Sequence, residues 1–458
     1  MTDYTEGPKP WDIEQFRGVR RHLERKDDWE KDRELVLDAS YRTGKVAPKL
    51  DKDGPSLFWL ALKTSCLTVL TLGLYRFWLI TRLRRHYWHA IRIQGDPLEY
   101  TGTGLEKILG FLVAIIILAV YLGLVNLGLM FIGMSYFQDN IVASIISVLA
   151  AAPLFFFAAY RARRYIMART RWRGIRFGMD HGAWGYTIRA LWYWFLTIVT
   201  GGLLYPYQQF KLAKYMADRT WFGDLKFHQN GSWAGLFAYW IWLYIVLGLV
   251  ALAVWGLAAD PGNPSTKVIA GLVIFVGYMS LFVMFMRYEV VVFRYLWSNR
   301  VLGEASFQND IAPGKIISVY LVGTLLVGLC TILISTALVV IAGVVAIGIF
   351  GIDELQNLGA TMGGAMGGAA NQPMDMADPF QSIPAVVLMV VLFYLAFFAI
   401  PFAFSHIFII RPILQRKAEA MVIHDAQVLT QSRQREHDHA AEAGGFADAL
   451  GVDVGAGF

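Results

Sequence analysis

The chain has 458 residues, of which 56% are hydrophobic, 14% aromatic and only 17% charged, with a net charge of +6 and a mean hydropathy of +0.46. A soluble chain carries about 25% charged and about 45–50% apolar residues. A soluble enzyme, a disordered protein and a secreted disulfide scaffold are therefore excluded, and the chain reads as an all-α polytopic membrane protein.

The first 55 residues hold 13 acidic and 12 basic side chains and no apolar signal-like region. They read as a charged cytoplasmic extension, either a solvated tail or an amphipathic helix through Ile13, Phe16, Val19 and Leu23. An apolar run at 56–80 follows, interrupted at Leu72-Gly73, and a basic, aromatic stretch comes after it. Two spans lie between Leu105 and Tyr160, joined by SYFQDN, which has no Lys or Arg. The run 186–207 repeats the interrupted pattern at Gly201-Gly202, before Pro206. Two more spans, 233–259 and 268–296, are joined by the turn-rich DPGNPSTK. The last two, 316–350 and 383–410, flank a Gly/Ala/Met-rich loop at 351–382, and a polar tail with a largely disordered end completes the chain.

Four segments share one pattern. Each has a basic residue and an aromatic (Arg85 and Tyr87 in the first, then Tyr165, Tyr215 and Tyr295), followed by a glycine (Gly95, Gly174, Gly223, Gly303) and a second aromatic (Tyr100, Phe177, Phe227, Phe307). The first and third glycines are 128 positions apart, and the second and fourth 129. LTVLTLGLY at 67–75 and LTIVTGGLLY at 196–205 match at the same period. This spacing indicates a unit of about 128 residues duplicated in tandem, 56–185 and 186–313. A two-helix unit (314–412) and the tail (413–458) then follow.

Arg and Lys follow the runs ending near residues 80, 159, 207 and 296, which places those ends on the cytoplasmic side together with both termini. The runs 56–80 and 186–207 must then start and finish on one side. Six full spans plus two interrupted re-entrant or interfacial hairpins satisfy this, and eight ordinary spans are the alternative. Turn residues inside IRIQGDPLEY and NRVLGEASFQ predict short cytoplasmic β-hairpins, with Trp88, Trp172, Trp221 and Trp297 near headgroup level.

TLGLYRFW followed by RRHYWHAIRIQGDPLEYTGTG resembles the signature of the YjgN-like family of bacterial inner-membrane proteins, as does SNRVLGEASF. The matching positions are Thr71, Gly73, Tyr75, Trp78, Arg85, Tyr87, Gly95, Tyr100, Gly102 and Gly104, within a resemblance covering about 56–412. Arg76 and the longer QGDPLEY depart from the pattern. The resemblance implies a multi-pass bacterial inner-membrane protein without an assigned activity.

No P-loop, HExxH, GxSxG or intramembrane carboxylate pair is present, so neither an enzyme nor a cofactor is expected. Cys66 and Cys330 lie in apolar runs and offer no metal framework. His86 and His89 are three apart on a basic helix, a pattern better suited to phosphate headgroups than to a metal with no third ligand. Lys63, Arg287 and Glu289 fall inside apolar runs and are candidates for lining a polar cavity between the duplicated halves, or else for structural pairing. Met362, Met366, Met374 and Met376 carry thioethers suited to Cu(I), against the plainer reading of a flexible loop. Expected partners are the bilayer, anionic headgroups at its cytoplasmic face, and a second copy or another membrane protein, with no nucleic acid. The functional expectation is a channel- or transporter-like protein. The alternative is a scaffold recruiting proteins through its hairpins and tails.

Overall fold

The computed structural model describes residues 44–51, 57–136, 140–260, 262–350 and 395–435. The N-terminal amphipathic segment, the methionine loop and the extreme C-terminus lie outside these residues.

In chain order the strands and helices are β1 Lys45–Val46, β2 Lys49–Leu50, α1 Leu57–Leu70, α2 Arg76–Ala90, β3 Ile91–Ile93, β4 Asp96–Tyr100, α3 Gly104–Tyr136 and α4 Asn140–Ala168. Then come β5 Thr170–Trp172, β6 Ile175–Met179, α5 Ala183–Val199, α6 Tyr205–Ala217, β7 Thr220–Phe222, β8 Leu225–Gln229, α7 Ala234–Ala259 and α8 Pro264–Ser298. The rest are β9 Arg300–Leu302, β10 Ala305–Asn309, α9 Pro313–Phe350, α10 Ile400–Ser405, α11 Arg411–Glu419, β11 Met421–His424 and α12 Gln427–Gln431.

Five described helices are long and apolar enough to cross a bilayer: Gly104–Met130, Ala234–Ala259, Pro264–Ser298, Pro313–Leu338 and Phe397–Glu419. Their apolar side chains mostly point outward, with Ile116, Trp255, Phe275 and Leu325 among the exposed ones. Water would penalise such a surface, and lipid does not. Two π-helical turns lie at the start of the last of the five and within it, Leu395–Ala399 and His406–Ile410. Each stands just before a proline, Pro401 or Pro412, whose missing N–H and bulky ring disturb the preceding turn.

The runs 56–80 and 186–207 are helical hairpins. Helices α1 and α2 have 14 and 15 residues, about 21–23 Å each at 1.5 Å per residue, too short for a hydrocarbon core of about 30 Å. Between them Gly73 N–H bonds the Thr68 carbonyl at 2.7 Å, with Leu72 and Gly73 at φ +50° and +91°. The α5–α6 turn repeats this, with Gly202 N–H on the Thr197 carbonyl at 2.6 Å and Gly201 and Gly202 at φ +60° and +91°. Thr71 and Thr200 hydroxyls accept the Tyr75 and Leu204 amides, so each threonine closes its turn.

All of these helices begin or end at one sheet. Its eleven antiparallel strands run in the order β1-β11-β10-β9-β8-β7-β6-β5-β4-β3-β2. The two edges, β1 and β2, are separated in the chain only by Ala47 and Pro48. Three residue steps span at most about 11 Å, so the sheet must curl until its edges almost meet. The all-α expectation is therefore corrected: the fold is helical with an eleven-stranded curled sheet. The strands have only two to five residues, too few for a period-two signal, and each hairpin is completed by neighbours distant in sequence. Three strands come from segments that composition assigned to the polar ends, β1 and β2 before residue 51 and β11 at 421–424.

Candidate functional site

Four hairpins build most of the sheet, each a three-residue strand, a two-residue turn and a five-residue strand. In the first two, both turn residues have positive φ: Gln94 and Gly95 at +52° and +83°, Arg173 and Gly174 at +51° and +78°. That is the primed turn whose twist suits a hairpin. In the other two, Gly223 and Gly303 occupy the first turn position, at φ +55° and +59°. Aligned on their turns, the hairpins place Leu98, Phe177, Phe227 and Phe307 at the same third position of the second strand. Tyr100, which the sequence pattern groups with the others as the aromatic following the glycine, instead shares the fifth position with Met179, Gln229 and Asn309.

The four shared tyrosines clamp neighbouring connections. Tyr165 donates to Glu106 Oε2 at 2.8 Å, Tyr215 to the Gly182 carbonyl at 3.0 Å, and Tyr295 to the Ser232 carbonyl at 2.8 Å. Each helix entering a strand is thereby tied to the segment leaving the adjacent strand. Tyr87 is bonded to His406 Nδ1 at 2.7 Å, and Arg85 donates to the Gly102 carbonyl at 3.3 Å. The motif holds the helix ends to the sheet.

Inside the curl lies an apolar chamber of about 100 Å³. Its middle band is the third-position set Leu98, Phe177, Phe227 and Phe307. The residues before the turns, Ile93, Trp172, Phe222 and Leu302, line it nearer the hairpin tips. Ring centroids of Phe177 and Phe222 are 4.7 Å apart, and Trp297 meets Phe307 edge-on at 5.5 Å. Such pairs add about 0.5–1.5 kcal/mol beyond the burial of their area. Leu414, Lys417 and Ala418 of α11 line the helix side, and Met421 and Ile423 of β11 one flank.

The mouth at the hairpin tips is crossed by the chain after β11. Leu429 of α12 faces the chamber. Further on, Arg433 N–H donates to Asp224 Oδ1 at 3.0 Å, and Gln434 Oε1 accepts the Arg176 amide at 2.8 Å. The Arg433 carbonyl stands 2.5 Å from where a Cβ on Gly223 would be, so this crossing also needs glycine there.

Between chamber and helices the inward-facing positions become polar. Gln229 and Asn309 are fully buried, and Arg300 donates through Nε to Gln229 Oε1 at 3.2 Å while stacking 4.4 Å from the Trp297 ring centre. Burial pushes the Arg300 guanidinium down to about 9; nearby Arg163 adds to this and Asp218 opposes it.

The intramembrane charges do not converge. Lys63 is on an exposed face of α1, and Arg287 on an exposed face of α8. Glu289 accepts a hydrogen bond from Gln209 of α6 at 3.3 Å. Arg287 and Glu289 are two apart on one helix and do not face each other. Met362, Met366, Met374 and Met376 lie outside the described residues. Among the described residues, no three His, Cys, Asp or Glu side chains are grouped to hold a metal.

A family model for a bacterial protein of unknown function, DUF898, matches residues 53–332. The chain belongs to this family. No curated protein and no solved structure matches it. The DUF898 match contains β3 to β10 and both partners of the Tyr165, Tyr215 and Tyr295 clamps, whereas His406, the partner of Tyr87, lies beyond it. It leaves out β1, β2, β11, α11 and α12, and with them Lys417 and Leu429. Sequence reading missed these two because their segments carry no repeat motif and resemble ordinary polar tail.

Proposed function

We propose that this DUF898 protein is a membrane-embedded binding protein whose curled sheet receives a small apolar group at the membrane face. The observation that carries the reading is the chamber, to which nine of the eleven strands, β3 to β11, each contribute an apolar side chain. Its volume, about 100 Å³, compares with engineered cavities of about 150 Å³ that stay dry and take benzene or xenon. An ion-conducting route draws no support from Lys63, Arg287 and Glu289, so the transporter-like reading narrows to apolar or amphipathic solutes. Basic residues gather at the sheet ends of the helices, Arg82 and Arg85, Arg161, Lys211, Arg294 and Arg416. This supports a sheet on the cytoplasmic side of a bacterial inner membrane, beside anionic headgroups.

The test is binding of neutral 6-bromohexan-1-ol to the full chain in zwitterionic nanodiscs. Bromine quenches tryptophan, and Trp172 and Trp297 line the chamber. Saturable quenching is expected, absent from a Trp172→Phe/Trp297→Phe variant and suppressed by Leu302→Trp, which fills the space. No saturable component in the wild-type protein would refute the reading and return weight to the scaffold alternative.

A further inference from the structure

We infer that the chamber's ligand is anionic at one end, a small amphiphile whose apolar body enters the sheet and whose carboxylate meets Lys417. This rests on the chamber being a binding site. The side chains lining it are apolar or uncharged with the single exception of Lys417. Lys417 forms part of the wall, and its ammonium stands 4.2 Å from the centre of the Phe293 ring. Ammonium over an aromatic face is a weak arrangement compared with an ion pair, and it leaves the three N–H donors unused.

No carboxylate among the described residues closes to an ion pair with this ammonium, and no hydrogen bond holds it. Glu289, one helical turn before Phe293 on α8, acts on it electrostatically, but its carboxylate is bonded to Gln209. Buried or half-buried cations are normally paired. A lysine in an apolar wall with no ion pair or hydrogen bond among the described residues therefore has the chemistry of a half-built site, complete when an anion arrives. Arg300, a buried cation of β9, is already bonded to Gln229 and stacked on Trp297. The assignment of the head to Lys417 follows from that difference.

The volume limits the body to a short chain or a single ring, and Lys417 calls for an anionic head. A short-chain carboxylate satisfies both constraints. A phosphate head on the same small body shares the anionic chemistry, and a hexyl phosphate arm of the test separates the two.

The experiment compares 6-bromohexanoate with neutral 6-bromohexan-1-ol on the wild-type full chain in zwitterionic nanodiscs near neutral pH, by quenching of Trp172 and Trp297. The acid is expected to bind about tenfold tighter, as a charge-assisted hydrogen bond supplies. Lys417→Met should bring the acid to the affinity of the alcohol and leave the alcohol unchanged, while Lys417→Arg keeps the preference. Hexyl phosphate displacing the acid more strongly than hexanoate does would assign the head to phosphate. Equal affinity of acid and alcohol for the wild-type protein would overturn the inference while leaving the chamber as an apolar site. Absence of saturable binding by either probe would remove the site itself.

Discussion

The hairpin strands β3 to β10 and the closing strands β1, β2 and β11 belong to one sheet but are specified differently. A hairpin carries its own turn, its own inward aromatic or leucine and a tyrosine clamp, so its local sequence and its tertiary role agree. The closing strands carry no turn of this kind. Lys45 and Val46 pair with His424 and Ile423, and Lys49 and Leu50 pair with Arg92 and Ile91, so each exists only through a partner remote in sequence. What they supply is cover for the edges of β3 and β10, which would otherwise be left open to association. The membrane helices show a third case, in which lipid rather than sequence-encoded contacts satisfies the apolar surface.

Removing residues 421–458 breaks the comparison most severely. It exposes the β10 edge and strips Met421, Ile423 and Leu429 from the chamber, each worth about 1.5–3 kcal/mol of burial. Folded yield in detergent should fall sharply; an unchanged yield and melting temperature would mean that the hairpins form a self-sufficient unit.

The turns give a graded test. Gly223→Val combines strain at φ +55° with a clash against the Arg433 carbonyl, and a loss of about 2–3 kcal/mol is expected. Gly174→Asn should cost less than 1 kcal/mol, because asparagine tolerates positive φ and nothing lies within 4 Å of the added Cβ. Melting curves of the two variants check this order, and equal losses would show that the strap across the mouth plays no part.

The clamps come next in size. Tyr295→Phe removes bonds to both the carbonyl and the amide of Ser232, and about 1–2 kcal/mol should be lost. The smallest effect concerns acid. Burial, with Arg411 and His89 adding to it, holds the His86 imidazole below its usual 6.5. On acidification the unfolded chain takes up this proton first, so stability falls as pH drops below 6.5 and levels off once His86 protonates in the fold. His86→Gln should flatten this part of the melting-temperature profile, and an unchanged profile would exclude His86 as its source.

Much of the membrane part is legible in the sequence. The apolar runs, the glycines at 73 and 201–202 and the basic clusters indicate helices that cross and helices that turn back, since each feature acts within a few residues. The hairpins are legible through their turns, whereas the sheet is not, because pairing of β4 with β5 or β10 with β11 joins residues dozens to more than a hundred positions apart. For the same reason the chamber escapes prediction. Leu98, Phe177, Phe227 and Phe307 become equivalent only when the hairpins are aligned on their turns, and the aromatic that follows the glycine in the first segment, Tyr100, masks Leu98. Lys417 gives no sequence signal, since its significance is the apolar wall around it.

The central claim is that the sheet curls until its two edges are linked by Ala47 and Pro48. Paired cysteines test it directly in a chain lacking Cys66 and Cys330: Lys45→Cys with His424→Cys at one edge and Lys49→Cys with Arg92→Cys at the other, both pairs facing each other in register. The account predicts that mild oxidation forms both disulfides within one molecule, with the melting temperature kept or raised. Failure of either pair to form, or crosslinks only between molecules, would show that the sheet is open and that no closed chamber exists.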